Sequence, residues 1–464
     1  MRRLALILAS TLGAGAAFGQ QLQTGDYLGT LEVGATPLRM ALHVTRGADG
    51  AWGATIDSLD QGAMGMPAKI TVDGARVTLT SNIGATFEGT LNAAGTAIAG
   101  TFTQRAMSLP LTFAKVDRIV GPARPQHPKR PFPYKEEDVT IANGPVSLAG
   151  TLTLPNGAGP FAAAILLTGS GPQDRDSTLF EHKPFLVLSD HLTRQGFAVL
   201  RMDDRGVGKS TGSLPSSTYD DMSGDAQAAH AFLQSRKEIN AKAIGVIGHS
   251  EGAAIAQLSA SRNPAIAFIV LLAGPGVAGD ELLYEQGQLT VKAMGGSKAQ
   301  LDRQRRVQQT FLQALKAETD NKTLVAKLRE AVAKFKAELP PEELAAAGPA
   351  FDQQMEGEIR RATLPPFQSL VRYDPAPVLR KVACPVLALN GTLDTQVAHY
   401  QNLPAVAAAL AATANPDYTV AALPGLNHLF QTAKSGAVME YREIEETFAP
   451  KALRTISDWL KSRF

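Results

Sequence analysis

The chain has 464 residues, too many for one ordinary hydrophobic core, so two or three domains are expected. Hydrophobic residues make up 44% and charged residues 19%, which is typical of a globular protein, and a net charge of +2 with both signs spread along the chain gives no electrostatic footprint for nucleic acid. Cys384 is the one cysteine, which excludes an intramolecular disulfide.

The first 19 residues have the pattern of a secretory signal peptide. Arg2 and Arg3 precede the apolar run LALILASTLGAGAA, and Ala17 and Gly19 put small residues ahead of a cleavage point after Gly19. The apolar run is shorter than the ~20 residues of a membrane-spanning helix, which disfavours an uncleaved anchor. We therefore expect a secreted or periplasmic protein with no stable membrane insertion after cleavage.

Residues 20–118 alternate apolar and polar side chains in short runs such as KITVDG and ARVTLTS, separated by turn signals such as GADG and NAAG. Runs of period two at this spacing predict a small all-β domain, either an antiparallel sandwich or a barrel. Residues 119–135 then place proline at positions 122, 125, 128, 131 and 133, which predicts an extended linker.

Residues 136–464 change to apolar strands that alternate with amphipathic helices. This pattern predicts a mostly parallel, doubly wound sheet covered by helices on both faces. Residues at about 276–370 interrupt the alternation with a helical stretch rich in Lys, Glu, Gln and Ala. We interpret this insertion as a cap over the C-terminal ends of the strands, where α/β sheets bind ligands. The alternative is a structural insertion that packs elsewhere.

The decapeptide DDRGVGKSTG, residues 203–212, resembles two motifs and satisfies neither. A phosphate-binding P-loop needs glycine at position 203, which is Asp203, and the following GSLPSSTY is not a helix. The same segment contains G-x-S-x-G around Ser210, but the preceding strand ends too early for a nucleophile elbow. We therefore expect Ser210 to lie in a structured turn.

A second G-x-S-x-G motif has the required context. The predicted strand AIGVIG runs directly into Gly248-His249-Ser250-Glu251-Gly252, and the predicted helix AAIAQLSA begins at once. A sharp turn from strand to helix with serine at its tip is the nucleophile elbow of serine hydrolases. Ser250 is therefore the predicted nucleophile.

Serine needs a base and an orienting acid, which follow it in the order acid and then base in this class of hydrolase. Asp394 follows the predicted strand PVLALNG, and His428 follows the predicted strand DYTVAAL. Asp374 is a weaker candidate for the acid because it precedes its strand. The other seven histidines are assigned surface or packing roles.

An oxyanion hole needs backbone N–H groups aimed at the developing negative charge. One donor is expected from Glu251, the residue after the nucleophile, and the other from the loop LLTGSGPQDRD. Ser170 is the first choice in this loop, and Gly171 is the second. An ordinary Gly-Pro turn is the alternative interpretation of the loop.

Taken together, LLTGSGPQDRD, MDDRGVGKSTG, GHSEG, YDPAPVLRKVACPVLALNGTLDTQV and LPGLNHLF resemble the α/β-hydrolase superfamily, and more narrowly the EstD-type bacterial esterases with an N-terminal β-domain. The resemblance implies an α/β-hydrolase fold and a carboxylesterase that acts on small esters with short acyl chains, with no metal and no cofactor. It maps Ser250, Asp394 and His428 onto the catalytic triad. The stretch PPFQSLVRYDP is less aromatic than the resemblance implies. The resemblance therefore does not define the shape of the acyl pocket.

Other functions remain open on the sequence alone. The same triad serves peptidases, including aminopeptidases, and thioesterases, because fold does not determine substrate. A secreted binding protein that kept the elbow without activity is the alternative from another class, and the complete, correctly ordered triad argues against it. A homo-oligomer is compatible with the sequence.

Overall fold

The computed structural model describes residues 21–464 except 34–35, 60–62, 82–83, 105–106, 120–122, 294, 349, 414 and 416. The predicted signal peptide, residues 1–19, lies outside the described residues. The chain divides into two compact units, Met1–Gly121 and Pro122–Phe464. Within the described ranges, no helix combines the length and the apolar character needed to cross a membrane.

The first unit is a closed antiparallel β-barrel in which each strand pairs with the next and the last strand pairs with the first. The prediction of a sandwich or a barrel is thereby resolved in favour of the barrel. Its strands are β1 (Gly25–Val33), β2 (Thr36–Arg46), β3 (Trp52–Ser58), β4 (Ala63–Asp73), β5 (Arg76–Ser81), β6 (Ala85–Leu91), β7 (Ala97–Gln104) and β8 (Met107–Val116).

The alternation of the sequence fills the barrel interior. In β6, Ala85, Phe87 and Leu91 are buried, and the intervening side chains point outward. Phe87 meets Phe113 of β8 edge to face, with ring centroids 5.2 Å apart. Closure of the barrel pairs both edges of every described strand in this unit, which removes the exposed edges that promote aggregation.

A histidine on the barrel is held between two carboxylates. His43 Nδ1 lies 2.8 Å from an Asp26 oxygen, and His43 Nε2 lies 2.8 Å from an oxygen of the buried Asp57. Burial alone lowers the pKa of His43, but the hydrogen bonds and charges of Asp57 and Asp26 outweigh burial and raise the pKa above 6.5.

The second unit contains an eight-stranded sheet in the order β16-β15-β14-β13-β11-β12-β10-β9. Strands β11 to β16 pair in parallel, whereas β9 and β10 form an antiparallel hairpin at one edge. The strands are β9 (Lys135–Asn143), β10 (Val146–Leu154), β11 (Phe161–Leu167), β12 (Ala198–Met202), β13 (Ile239–His249), β14 (Ile269–Leu272), β15 (Val386–Gly391) and β16 (Tyr418–Leu423).

Helices cover both faces of this sheet, as the alternation of the sequence predicts. They are α1 (Pro184–Arg194), α2 (Tyr219–Gln234), α3 (Glu251–Arg262), α10 (Pro375–Leu379), α11 (His399–Ala411) and α12 (Pro450–Lys461). Helices α2, α3, α10 and α11 share one apolar core with the sheet, and α1 and α12 share the other. The fold class is therefore the predicted one.

The helical insertion lies between β14 and β15. It comprises α4 (Gly279–Ala293), α5 (Lys298–Ala317), α6 (Asn321–Glu338), α7 (Pro341–Ala347), α8 (Ala350–Ala362) and α9 (Pro365–Arg372), which we call the cap. The cap has an apolar cluster of its own, which includes Leu315, Leu324, Leu328 and Ile359. The next section describes its contacts with the sheet unit.

The proline-rich segment is fastened to the second unit. Its described residues, 123–134, form no helix or strand. The Arg124 guanidinium donates hydrogen bonds to the carbonyls of Phe180, Arg442 and Ile444. Gln126 pairs with the backbone around Phe448. The proline spacing predicts the lack of regular structure but not these side-chain contacts.

The Asp26–His43–Asp57 cluster predicts that a single substitution changes the pKa of His43. Asp57→Asn should lower the pKa of His43 because it removes one of the two negative charges beside the imidazole. Histidine ring shifts in an NMR titration of the full chain measure this pKa, with Asp73→Asn as the control. Because the folded-state pKa is raised, this contribution to stability is complete below pH 6.5 and is lost as the pH rises through the folded-state pKa. An unchanged His43 titration in Asp57→Asn would contradict the prediction.

Candidate active site

Ser250 is the single residue between the end of β13 and the start of α3, and its backbone is strained. Its φ is 55° and its ψ is −118°, a conformation that non-glycine residues rarely adopt and that costs roughly 1–3 kcal/mol. The Ser250 N–H donates to the Leu272 carbonyl of β14 at 2.8 Å. This geometry matches the strained turn of a nucleophile elbow.

The two glycines of the motif are required by close packing. A Cβ on Gly248 would collide with the Gly252 carbonyl, and a Cβ on Gly252 would collide with the carbonyls of Leu167 and Thr168. Strand β13, helix α3 and the loop after β11 therefore approach each other more closely than any larger residue permits. This packing explains the spacing of the two glycines in the sequence.

Asp394 and His428 come together as an acid–base pair. His428 Nδ1 lies 2.8 Å from Asp394 Oδ2, and both side chains are buried. The other carboxylate oxygen of Asp394 accepts hydrogen bonds from the N–H groups of Gln396 and Val397, each at 2.8 Å. The carboxylate is therefore fixed in position and can orient the imidazole.

The rival acid Asp374 lies elsewhere. It caps the N-terminus of α10 by accepting a hydrogen bond from the Ala376 N–H at 3.0 Å. Among the described residues, the Ser250 hydroxyl makes no hydrogen bond to His428, whereas the ring of its neighbour His249 lies 2.9 Å from the His428 carbonyl. Catalytic hydrogen bonds of this kind often form only in the substrate complex.

His249 helps to position His428, a role that the sequence analysis missed. Its Nε2 donates to the His428 carbonyl at 2.9 Å, and the two rings lie 4.7 Å apart. Burial and the neighbouring His428 lower the pKa of His249 to about 3, so His249 stays neutral. The packing role that the sequence analysis gave to the other histidines is therefore a positioning role for this one.

Two consecutive aspartates after β12 fasten the loop that follows β11. Asp204 accepts hydrogen bonds from the Thr168 hydroxyl at 2.7 Å and the Gln173 N–H at 2.9 Å. Asp203 pairs with the Arg175 guanidinium at 2.7 Å and also accepts the Arg175 N–H. The loop at 168–175 is thus held at three points.

Ser210 is neither a nucleophile nor a phosphate ligand in this arrangement. Its hydroxyl donates to the Asp203 carbonyl at 2.8 Å and accepts from the Ala149 N–H at 2.9 Å. Ser210 is buried in the turn that the sequence analysis expected. The segment DDRGVGKSTG therefore supports the loop beside the nucleophile.

The fastened loop carries both candidates for the second oxyanion donor. A Cβ on Gly169 would lie 3.4 Å from Ser250 Cβ, so the loop runs directly beside the nucleophile. Ser170 and Gly171 are the next two residues, and Gly171 has a positive φ of 87°. Glu251, the other expected donor, is the first residue of α3, where backbone N–H groups lack helical partners.

A small cavity of about 60 Å³ lies beside the elbow. Its polar lining includes the carboxyl groups of Asp204 and Glu251 and the guanidinium of Arg205. Burial raises the pKa of each carboxyl to about 7. The Thr168 hydroxyl and the Gln173 N–H beside Asp204, and the Tyr219 hydroxyl beside Glu251, make this increase in pKa smaller than burial alone would. The Glu251 side chain keeps some accessible surface, and the buried Tyr219 hydroxyl faces it outside hydrogen-bond geometry.

A much larger cavity lies inside the cap. It measures about 510 Å³, is open to solvent on one side and is lined by residues of α4, α5, α6, α8 and α9.

The cap approaches helix α3 at the C-terminal end of α9. Arg361 lines the cavity, and its positive charge acts on the Glu251 carboxyl to lower its pKa. At the end of α9, the Tyr373 hydroxyl donates to Gln257 of α3 at 2.9 Å. The placement of the insertion over the strand ends stays a prediction.

No group of three or more His, Cys, Asp or Glu side chains within the described ranges is arranged to hold a metal ion. Cys384 lies away from the triad, and burial raises the pKa of its thiol to about 12.

The strand order, the strained elbow and the Asp394–His428 pair define an α/β-hydrolase fold with the geometry of a serine hydrolase site. The family model described as "Serine aminopeptidase, S33" matches residues 183–338. The chain also resembles esterase EstD of Thermotoga maritima, with 28% identity over 267 residues, which covers 58% of this chain and 54% of that protein. The chain thus spans about half the length of this relative. The predicted resemblance to EstD-type esterases is confirmed.

Solved structures that align include two esterases. An esterase from Pyrococcus furiosus is 18% identical, with 74% of this chain and 97% of that chain covered and a TM-score of 0.42. Est1E from Butyrivibrio proteoclasticus, solved with ferulic acid, is 14% identical, with 70% and 96% covered and a TM-score of 0.39.

The Asp204 contacts predict that a carboxylate outside the triad controls turnover. Asp204→Asn replaces an acceptor of the Gln173 N–H or the Thr168 hydroxyl and should loosen the loop beside Ser250. We expect kcat to fall about 10- to 100-fold with little change in KM, less than the full loss of an oxyanion donor. Steady-state kinetics measure both constants, and Asp220→Asn on the exposed face of α2 is the matched control. An unchanged kcat would exclude this role.

The raised pKa of Glu251 predicts a pH-dependent stability. The carboxyl is neutral in the folded protein below about pH 7 and charged in the unfolded chain above 4.5, so stability falls as the pH rises through this window. Glu251→Gln cannot ionise and should shrink the drop in Tm between pH 6 and pH 8. Exposed Glu330→Gln is the control. An equal drop in both variants would show that Glu251 does not titrate in this range.

Proposed function

We propose that the chain is a serine hydrolase that cleaves carboxylic esters through an acyl-enzyme on Ser250. The observation that carries the proposal is the Asp394–His428 hydrogen bond, with Asp394 fixed by two backbone N–H groups, in a fold that presents Ser250 at a strained elbow. This arrangement supplies a nucleophile, a base and an orienting acid.

The proposed cycle has two halves. His428 takes the Ser250 proton as the oxygen attacks the ester carbonyl, and the protonated imidazole then gives that proton to the departing alcohol. In the second half His428 takes a proton from water, the hydroxide attacks the acyl carbonyl, and Ser250 regains its proton as the acid leaves. Asp394 stabilises the imidazolium in both halves without accepting the proton.

The negative oxygen of each tetrahedral intermediate is assigned to two backbone N–H groups. Glu251 supplies one from the first turn of α3, and Ser170 or Gly171 supplies the other from the loop that Asp203 and Asp204 hold. Support for this assignment is the closeness of Gly169 to Ser250.

The proposed substrates are small esters with short acyl chains, and export is part of the proposal. The similarity to esterase EstD supports ester hydrolysis. The first 19 residues support secretion or a periplasmic location, which cell fractionation with and without these residues tests.

A peptidase is the second candidate function. The match to the family described as serine aminopeptidase favours it, as do the Asp204 and Glu251 carboxyls beside the elbow, which can attract an amine. A comparison of alanine p-nitroanilide with alanine ethyl ester separates the two functions. A higher kcat/KM for the anilide than for the ethyl ester would favour the peptidase.

The triad predicts the effect of removing the nucleophile. Ser250→Ala should lose hydrolysis of p-nitrophenyl acetate and butyrate by at least ~10³-fold, because the acyl-enzyme cannot form. Ser210→Ala, at the other G-x-S-x-G motif, is the control and should keep measurable esterase activity. A fluorophosphonate should label the wild type and Ser210→Ala but not Ser250→Ala. Labelling of Ser250→Ala, or wild-type protein without activity or labelling, would refute the proposal.

A further inference from the structure

The loop that carries His428 depends on partners outside itself. It comprises residues 424–449, between β16 and α12, and we call it the base loop. The structure describes all of these residues, and apart from a single turn of helix at Val438–Glu440 and a bridge between Leu426 and Thr432 they form no helix or strand. Because buried backbone N–H and C=O groups are nearly always paired, those of the base loop need partners from other parts of the chain.

Gln126 of the proline-rich segment pairs with three backbone groups of the base loop. Its Oε1 accepts the N–H groups of Thr447 and Phe448 at 2.5 and 2.9 Å, and its Nε2 donates to the Phe448 carbonyl at 2.7 Å. The orientation of the amide is fixed, because only the oxygen of a glutamine amide accepts and only its nitrogen donates. Gln126 therefore holds the backbone of two consecutive residues in one position.

Phe448 connects Gln126 to the turn that carries His428. The Phe448 ring stacks on the Phe430 ring, with centroids 5.5 Å apart and an interplanar angle of 9°. The next N–H group in the chain, that of Ala449, donates to the Phe430 carbonyl at 2.8 Å. Phe430 has a φ of 62°, which a bulky residue adopts only where its surroundings hold it. Residues 448–449 therefore hold a strained backbone position two residues after the base.

The turn itself is closed by hydrogen bonds between its two ends. Asn427 Oδ1 accepts the N–H groups of Leu429 and Gln431 at 3.0 and 2.9 Å, and the Asn427 N–H donates to the Gln431 carbonyl at 3.0 Å. The side chains of Asn427 and Gln431 are buried. His428 and Phe430 both lie inside this closed turn, so a displacement of Phe430 also displaces the base.

Arg124 holds the part of the base loop that contacts the acid. Its guanidinium donates to the carbonyls of Arg442 and Ile444, each at 2.9 Å. The adjacent Tyr441 is buried, and its hydroxyl accepts a hydrogen bond from the Gln396 side chain at 3.1 Å. The Gln396 N–H is one of the two groups that fix the carboxylate of the catalytic acid. Both members of the acid–base pair are therefore connected to the proline-rich segment through the base loop.

We propose that Gln126 and Arg124 are positioning residues, which hold the catalytic base in place through the base loop. This inference rests on the proposed ester hydrolysis and adds to it a segment that precedes the first strand of the sheet in the chain. Both side chains act through the base loop rather than on the substrate. Because a catalytic group displaced by about 1 Å can lower the rate about 100-fold, the loss of these hydrogen bonds should impair the reaction more than substrate binding.

The test removes the hydrogen bonds of Gln126 and keeps the length of its side chain. Gln126→Met cannot make the three hydrogen bonds, and Lys129→Met, at an exposed position of the same segment, is the matched control. Hydrolysis of ethyl acetate needs His428 to protonate the departing ethoxide, whereas p-nitrophenolate leaves without a proton. We expect Gln126→Met to lower kcat/KM at least about tenfold for ethyl acetate, and by a factor about three times smaller for p-nitrophenyl acetate.

The comparison of the two esters separates positioning from stability. A smaller folded fraction lowers the rates on both esters by the same factor, whereas a displaced base lowers the rate on ethyl acetate more. Arg124→Met should show the same unequal loss, and it replaces Gln126→Met in the test if a thermal melt shows that Gln126→Met does not fold. Equal losses on both esters, no loss in either variant, or the same unequal loss in Lys129→Met would overturn the inference.

Hydrogen exchange of the full chain keeps the inference independent of turnover. Mass spectrometry of peptides that cover residues 427–431 should show exchange at least about tenfold faster in Gln126→Met than in the wild type, and unchanged in Lys129→Met. If the wild type hydrolyses neither ester but this pattern holds, the esterase proposal fails and the positioning of the His428 turn by the segment stands. Unchanged exchange of residues 427–431 in Gln126→Met would refute the inference.

Discussion

The strained backbone of Ser250 is the constraint on which the candidate site depends. A φ of 55° at a residue with a side chain persists only where the surroundings hold it, and here they do so through glycines that permit backbone contact. Strand β13, helix α3 and the loop after β11 meet around this residue with no room for another methyl group. The nucleophile, the start of α3 and the loop beside it are consequently one rigid arrangement.

The rest of the site is attached to this arrangement by polar contacts from neighbouring strands. Asp394 follows β15 and His428 follows β16, so the parallel order of the sheet brings both residues to the edge where β13 ends. Asp203 and Asp204 follow β12 and hold the loop after β11. Each polar group that the chemistry needs thus comes from a strand end, and the sheet fixes their spacing.

Sequence reasoning could identify the residues whose chemistry is encoded locally. Ser250 is marked by glycine spacing between a strand and a helix, and Asp394 and His428 by chain order. The strand alternation in residues 20–118 could not separate a sandwich from a barrel, because both bury every second residue. The pairing of β1 with β8, which closes the barrel, depends on residues far apart in sequence.

The positioning residues were missed for the same physical reason. Asp204 contacts Thr168 across 36 positions, and His249 contacts His428 across 179. Neither partner is recognisable from its own neighbours in the chain, since the hydrogen bond exists only after the sheet has formed. The cap cavity is still harder to predict from the sequence, because it arises from the packing of five helices rather than from any one of them.

The point of insertion of the cap has an evolutionary consequence. The cap leaves the chain between the neighbouring parallel strands β14 and β15, and at its base the Gly279 N–H donates to the Tyr373 carbonyl at 2.9 Å, so its two ends lie side by side. A segment whose two ends are this close can be lengthened, shortened or exchanged without changing the register of the sheet. The sheet that carries Ser250, Asp394 and His428 and the helical insertion are therefore encoded in separable stretches of the gene, and recombination can replace the insertion while it leaves the sheet intact.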